Sequence, residues 1–390
     1  MIGVIADDLT GAAELGAVGL RHGLRAEILV KGGPSGEADL VCVDTDSRSC
    51  AAEEAGRRAA AAAKLLRDAK ACWIYKKVDS VLRGQVTAEV ESVMKQLRLR
   101  RALLLPANPS LGRKIRDGRY FVRGRLIHKT EFARDPEHPR TSARVLQLLH
   151  PSPTTTICVS NLCDILPATG IVVGEAATSQ DVERWASVRD PRTLAAGGSE
   201  YFGALLAAEK RESAFPAVGV FPGGTVPREL FVCGTASPSS RKFVVAARAR
   251  GTPVFSLPLE LAWSAGFTPG AAEVISQRVM AAFQSELRVI LNVGLPPVRE
   301  AAAARRLSDH LVQIAGRVLR EVAIGHVYAE GGATAAELVQ HMGWARLSVL
   351  REEAPGVATL AIEGNEAQLL TVKPGSYAWP EKWTEQMTNC

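Results

Sequence analysis

The pattern of apolar and polar positions changes period many times along the chain. "IGVIA" (2–6) is a continuous apolar run and predicts a strand, and Leu9–His22 follows with helical spacing. "AEILV" (26–30) and "DLVCV" (39–43) predict two more strands, Ala51–Lys70 a long helix, "ACWIYK" (71–76) a strand, Gln85–Leu97 a helix and "ALLLP" (102–106) a strand. Strands that alternate with helices build βαβ units on a mostly parallel sheet. Their uniform apolarity suits a sheet covered on both faces. Residues 108–138 break this rhythm. "NPSLGRKIRDGRYFVRGRLIHKTEFARDPEHP" is basic, Gly-punctuated and without long periodic segments, so it predicts a functional loop, ordered by Tyr120, Phe121 and Phe132.

The α/β rhythm resumes with "TTTICVS" (154–160), "GIVVG" (170–174) and a helix near Tyr201–Arg211. "ESAFPAVGVFPGGTVPRE" (212–229) is rich in Pro and Gly and marks a domain boundary. A second α/β series starts at "LFVCG" (230–234). It continues through a helix near Ser239–Arg250, the strand "PVFSL", the helix Ala271–Phe283, the strand "LRVILNVG" (287–294) and the helix Arg299–Ala323, and Leu347–Val372 alternates like antiparallel strands. The expected architecture is therefore α/β, with two domains. Each carries a mostly parallel sheet flanked by helices, with the active site in the interdomain cleft. The domains are residues 1–211 and 230–390, joined by a linker at 212–229.

Length agrees, because 390 residues exceed what one hydrophobic core usually organises. Hydrophobic residues at 47% exclude a disordered chain. The net charge of +6 favours an anionic ligand, but the basic residues are too dispersed to argue for nucleic acid. The seven cysteines show no metal-ligand spacing and read as free thiols of a reducing cytoplasm. No apolar run reaches the ~18 residues of a membrane span, and the N-terminus lacks a signal-peptide core. A soluble cytoplasmic protein is expected, and a homo-oligomer is compatible with this reading.

Candidate chemistry gathers at strand ends, where open α/β sheets bind ligands. "VIADDLTGAAE" places Asp7 and Asp8 after the first strand. Acids there can orient hydroxyls, take a proton or hold a cation, and their mutual repulsion becomes tolerable beside a hydroxyl network, a lysine or a metal. The structural alternative is that one of them caps the following helix. "YKKVDSVLRG" offers Lys77, Asp79, Ser80 and Arg83. Arg83 and a lysine suit a carboxylate, and Asp79 and Ser80 could instead cap the next helix. "VDTDSRS" adds Arg48, with Asp44 and Asp46 as expected partners. Together these describe a pocket for a small, hydroxylated anion. In the second half, "EGGATAAELV" places Gly331, Gly332, Ala333 and Thr334 before a helix, a site suited to phosphate. "CGTASPSSRKF" contributes Ser237 at a helix start, and "TVKPGSYAWP" contributes Gly375. Neither a GxxxxGK[ST] loop nor a GxGxxG turn occurs, which excludes a P-loop and weakens an oxidoreductase reading. Acids and cations for a polar molecule, followed by glycine turns for phosphate, point to phosphoryl transfer.

"IADDLTGA", "DTDSR", "KKVDSVLRG", "PANPSLGRKIRDGRYFVRG", "DPEHP" and "EGGATA" stand in an order that resembles the four-carbon acid sugar kinase family. The resemblance covers most of the chain. It implies phosphorylation of a terminal hydroxyl of a threonate, erythronate or 3-oxo-tetronate type acid, with ATP and Mg²⁺. It further implies that Asp8, Arg48, Lys77, Asp79, Ser80 and Arg83 contact the sugar acid, with Asp7 alongside, and that Ser237, Gly331–Thr334 and Gly375 contact the nucleotide. It does not settle the catalytic base. Asp8 is the first candidate and Asp79 the second. The chain departs from the family pattern in its second half, where Ala333 replaces an acid and "KPGSYAWP" replaces a glycine-rich loop. The alternative expectation is therefore a catalytically weak or silent sugar-acid-binding protein.

Overall fold

The computed structural model describes residues 1–135, 137–150, 154–209, 227–258, 261, 269–294, 301–375, 377–380 and 383. The chain divides into two compact units, 1–216 and 217–390. The predicted linker lies outside the described residues except for its last three positions, and Glu229 already belongs to a strand.

The first unit opens with β1 (Ile2–Ala6), every residue of which is buried. Helix α1 (Leu9–Arg21) follows, then β2 (Ala26–Leu29), β3 (Leu40–Asp44), α2 (Ala52–Asp68), β4 (Ile74–Lys77), α3 (Val86–Leu97) and β5 (Arg101–Leu105). α1 is built of small residues because it lies hard against the sheet. A Cβ on Gly19 would come within 2.2 Å of Leu40 Cδ2, on β3. α2 buries a stripe of Ala55, Gly56, Ala59, Ala62, Ala63 and Leu66 at helical spacing and keeps its charges outside. Residues 108–138, expected as a loop, contain an antiparallel sheet of β6 (Arg113–Arg116), β7 (Arg119–Val122) and β8 (Arg125–Leu126). Ile115, Tyr120 and Val122 point inward, with Arg113 on the same face, and Arg116 and Arg119 point outward, so the period of two was present but spread over strands of four residues or fewer.

After α4 (Val145–Leu148) come β9 (Ile157–Ser160), β10 (Gly170–Gly174), α5 (Ser179–Ser187), β11 (Thr193–Gly197) and α6 (Ser199–Ala208). α5 and β11 were not anticipated. The signal for α5 was its capping box, Thr178 with Asp181. The main sheet of this unit runs β2-β3-β1-β4-β11-β5-β10-β9, and all its pairings are parallel. From β1 the chain passes over to β2, comes back to β3 beside β1, and then places β4 on β1's other side. That reversal is a topological switch point, and it lies at the strand ends carrying Asp7, Asp8, Arg48 and Lys77.

The second unit contains β12 (Glu229–Cys233), α7 (Pro238–Ala249), β13 (Val254–Ser256), α8 (Pro269–Ala282), β14 (Arg288–Asn292), α9 (Ala301–Glu321), β15 (His326–Glu330), α10 (Gly332–Met342), β16 (Arg346–Ala354), β17 (Val357–Ile362) and β18 (Asn365–Lys373). Its strands run in the order β13-β14-β12-β15-β18-β17-β16. The first five are parallel, and β17 pairs antiparallel with both β16 and β18. Phe231 stacks on Tyr328 at 4.1 Å in an aromatic core completed by Phe243, Trp379 and Trp383.

Cys42, Cys50, Cys72, Cys158, Cys163 and Cys233 are free thiols. Among the described residues no helix is long and apolar enough to cross a membrane.

Candidate active site

Two adjacent carboxylates at the mouth of a buried strand are held by one guanidinium. Arg48 donates from Nε to Asp7 Oδ2 (2.7 Å) and from Nη2 to Asp7 Oδ1 (3.1 Å), while its Nη1 reaches Asp8 Oδ2 (2.8 Å). The fork geometry of arginine makes this three-point contact possible. Asp8 also caps α1, accepting from Gly11 N at 2.8 Å and from the Thr10 hydroxyl at 2.6 Å. The capping and functional readings of Asp8 are therefore compatible. Gly11 is required, because a Cβ there would sit 2.6 Å from Asp8 Oδ1. Asp8 is the more accessible acid, 8% exposed against 3% for Asp7.

The expected partnership of Arg48 with Asp44 and Asp46 is not found. Asp44 Oδ1 instead accepts from Asp46 N at 2.9 Å, in a tight turn where Asp46 adopts φ 44°. Burial pushes the Asp44 carboxyl well above its usual range, and Asp46, Asp8 and Asp7 push it further. An acid whose folded pKa is raised costs stability that grows as pH rises above its ordinary value of 3.8. Asp44→Asn keeps the acceptor and removes the charge. A higher melting temperature at pH 7 is expected, with the advantage closing as pH falls toward 4, measured by calorimetry across that range.

After β4, Asp79 organises the turn. Its Oδ2 accepts from Val81 N, Arg83 N and Arg83 Nε, each at 3.1 Å, and its Oδ1 accepts from Arg83 Nη2 at 2.8 Å. Arg48 Nη2 stands 3.9 Å away. Burial opposes the charge on Asp79, but Arg83, Arg48 and Lys77 outweigh it and hold the carboxyl well below the usual range. Asp79 and Ser80 do not cap α3, whose N-cap is Gln85. Asp79 caps its own turn, and Ser80 faces the small sheet, receiving Arg113 on its hydroxyl and Tyr120 on its carbonyl. Lys77, at the end of β4, sits 3.4 Å from Glu14 of α1.

Several participants escaped sequence reasoning. Glu14 lies seven residues after Asp7, two turns of helix, and so comes back to face Lys77. Asp135 receives Arg83 Nη1 at 3.2 Å, and His138 Nε2 lies 3.1 Å from Arg48 O, so the "DPEHP" stretch straps both arginine turns. Its Pro136 is outside the described residues. Behind the site, Lys76 and Glu89 form a buried pair at 2.6 Å, and Glu89 Oε1 accepts from Ser47 Oγ at 2.7 Å, next to Arg48. Breaking a buried pair strands a charge. Lys76→Met is expected to cost about 3–5 kcal/mol in urea unfolding, and Lys76→Met/Glu89→Leu to recover most of it.

In the second unit, Gly331 has φ +102°, which only glycine tolerates well. It precedes α10, which has no side-chain N-cap, so the first N–H groups of that helix are open to an anion. Ala333 is exposed on this first turn and Thr334 is buried. A Cβ on Gly234 would lie 1.8 Å from Thr334 Oγ1, and one on Gly375 would lie 3.0 Å from Thr235 Oγ1. These three loops therefore crowd together, leaving bare backbone at the ends of β12, β15 and β18. Ser237 caps α7, accepting from Ser240 N at 3.2 Å. Beneath them Glu330 and Lys373, both fully buried, pair at 2.8 Å across β15 and β18. Ser376, within the final loop, is outside the described residues.

The chain is thus a two-domain α/β protein, with paired acids and arginines at the switch point of one parallel sheet and glycine turns at strand ends of the other. Residues 2–201 match the sugar-binding N-terminal domain family, and residues 230–377 match the nucleotide-binding C-terminal domain family. The chain belongs to the four-carbon acid sugar kinase family, which these two domains characterise. A D-threonate kinase of Salmonella typhimurium is 34% identical over 149 residues, spanning 37% of this chain and 35% of that protein. A 3-oxo-tetronate kinase of Actinobacillus succinogenes is 25% identical over 415 residues, 97% of this chain and 96% of that one. The crystal structure of a Haemophilus influenzae protein superposes with a TM-score of 0.72 at 20% identity, covering 99% of this chain and 100% of that one, and shares the fold.

Proposed function

We propose that the protein is an ATP-dependent kinase that phosphorylates a terminal hydroxyl of a four-carbon sugar acid of the threonate, erythronate or 3-oxo-tetronate type. The observation that carries this reading is the Asp7–Asp8–Arg48 cluster at the switch point, flanked by Lys77 and by the Asp79–Arg83 turn. Relatives named for kinases of such acids support it. In this reading Lys77, Ser80, Arg48 and Arg83 bind the carboxylate and hydroxyls of the acid, supplying charge-assisted and bidentate bonds.

Asp8 takes the proton of the attacking hydroxyl. Its Oδ1 accepts a single backbone bond, and it is more exposed than Asp7. Asp79 is a poorer base, because four donors from its own turn already occupy it and its proton affinity is depressed. Asp79 is a positioning residue for the two arginines. Asp7, clamped by two bonds to Arg48, fixes that arginine's orientation.

In the second unit the bare backbone at Gly331–Gly332 and Gly375, with the open N–H groups of α10, fits the phosphates of ATP. Mg²⁺, when bound, neutralises charge on those phosphates. Such ions typically engage substrate oxygens and water with few protein ligands.

The deciding experiment is a screen of C4 acids and their 3-oxo forms with ATP and Mg²⁺, following ADP release. Absence of ADP release with every acid, together with absence of heat on Mg·ATP titration, would instead favour a silent sugar-acid-binding protein, the reading that Ala333 in place of an acid favours. Ala333 is exposed at the start of α10, where an added acid reaches solvent and a bound cation. Ala333→Asp is expected to tighten Mg·ATP about three- to tenfold by calorimetry, and an unchanged dissociation constant would remove this position from the nucleotide site.

A further inference from the structure

The net charge of this protein is concentrated in one short segment. Residues 113–134 hold eight Lys and Arg against two Asp and Glu, while the whole chain has 47 against 41. Removing the segment's share leaves 39 of each sign, so the rest of the chain is neutral overall. The segment comprises the β6–β8 sheet and the turns that follow it. Arg116, Arg119, Arg123, Arg125, Lys129 and Arg134 are exposed. Arg116 stands opposite Arg119 in the ladder, a like-charge pairing that costs stability. Arg119, Arg123, Lys129 and Arg134 join no ion pair among the described residues.

The inner face of the same sheet touches the candidate site. Arg113 and Tyr120 both bond Ser80, on the turn between Asp79 and Arg83. The outward arginines therefore stand one strand's thickness from that turn. The site itself offers little net attraction to an anion. Its linked cluster carries Asp7, Asp8, Glu14, Asp79 and Asp135 against Arg48, Lys77 and Arg83, and Arg113 and Arg140 only bring the signs to parity.

We propose that the exposed basic face of β6–β8 is an electrostatic collar that draws the sugar-acid carboxylate toward the site of the first unit. This rests on the sugar-acid reading above. A field of one sign beside a site raises local substrate concentration and association rate, and salt screens it. A small anionic substrate fits better than nucleic acid. The face is three short strands wide and carries a single half-exposed aromatic ring, Phe121.

The test is equilibrium titration of D-threonate into the full chain, which needs no turnover. It separates failure of the collar from failure of the kinase reading, which ADP release alone decides. R116Q/R119Q/R123Q/K129Q is expected to weaken binding about fivefold at low ionic strength, what four unit charges roughly 15 Å away in water supply. At 0.3 M salt, where the screening length is about 6 Å, the difference should fall below about twofold. R116K/R119K/R123K, which keeps the charge, should bind like the parent. Identical affinities of the neutralised variant and the parent at low salt would overturn the collar. So would absence of threonate binding by either protein, or loss of binding to a short duplex DNA in the neutralised variant with threonate affinity unchanged.

Discussion

Asp8→Asn is expected to lower turnover by about two to four orders of magnitude, the usual contribution of a positioned base, with Mg·ATP affinity altered less than about twofold. The substitution preserves the helix cap. Asparagine is a good N-cap and keeps an acceptor for Gly11 N, so α1 should start as before. Arg48 retains both bonds to Asp7. What is lost is the charge, the capacity to accept a proton, and the bonds that Arg48 Nη1 and the Thr10 hydroxyl make to Oδ2. Steady-state kinetics and calorimetry on the same preparation separate the two effects. Asp79→Asn is the informative comparison. As a residue that positions Arg48 and Arg83, it should raise the KM for the sugar acid and lower thermal stability more than it lowers kcat. If Asp79→Asn abolishes turnover while Asp8→Asn stays active, the roles are reversed.

Arg48→Met should cost about 3–5 kcal/mol of stability at pH 7, because it leaves Asp7 and Asp8 side by side with their shared cation gone. The pH dependence identifies the cause. Burial opposes the charge of Asp7, but Arg48, Lys76 and Lys77 outweigh it, so its pKa in the folded protein lies below its ordinary value of 3.8. A depressed carboxyl contributes stability that is present above that ordinary value and is lost as pH falls through the folded one. The variant forfeits this contribution. Its deficit should be full at pH 6–7 and shrink as pH drops below about 4 toward the depressed folded value of Asp7, where that carboxyl gives up its charge in the parent too. Urea midpoints at pH 7, 5 and 3.5 measure it. A deficit that does not change with pH would assign the loss to packing. Arg48→Lys should fall between, since an ammonium replaces a three-point fork with one point charge. Sugar-acid binding should be lost in Arg48→Met and weakened in Arg48→Lys.

Much of this molecule could be read along the chain, for physical reasons that differ by element. The buried parallel strands β1, β3 and β5 announced themselves because a sheet covered on both faces needs unbroken apolar runs. α1, α2 and α9 were evident from helical periodicity. The three polar strand ends were visible as motifs, since a short turn after a strand keeps its chemistry local in sequence. β6–β8 were not, because strands of two to four residues leave too few repeats for a period to emerge.

Local sequence put acids and cations at these strand ends, but did not say which of them would touch. Asp7 and Asp8 were bound to be neighbours, whereas Arg48, about forty residues on in β3's loop, pairs with them and not with Asp44 and Asp46, the acids beside it in the chain. That choice belongs to the parallel register that lays Ala6 beside Asp44 and brings Arg48 back over β1. The same holds for Glu14 with Lys77, Lys76 with Glu89 and Arg83 with Asp135. Spacing along a chain dictates period and turn. Pairing across strands depends on how a sheet is wound, and only the folded structure decides that.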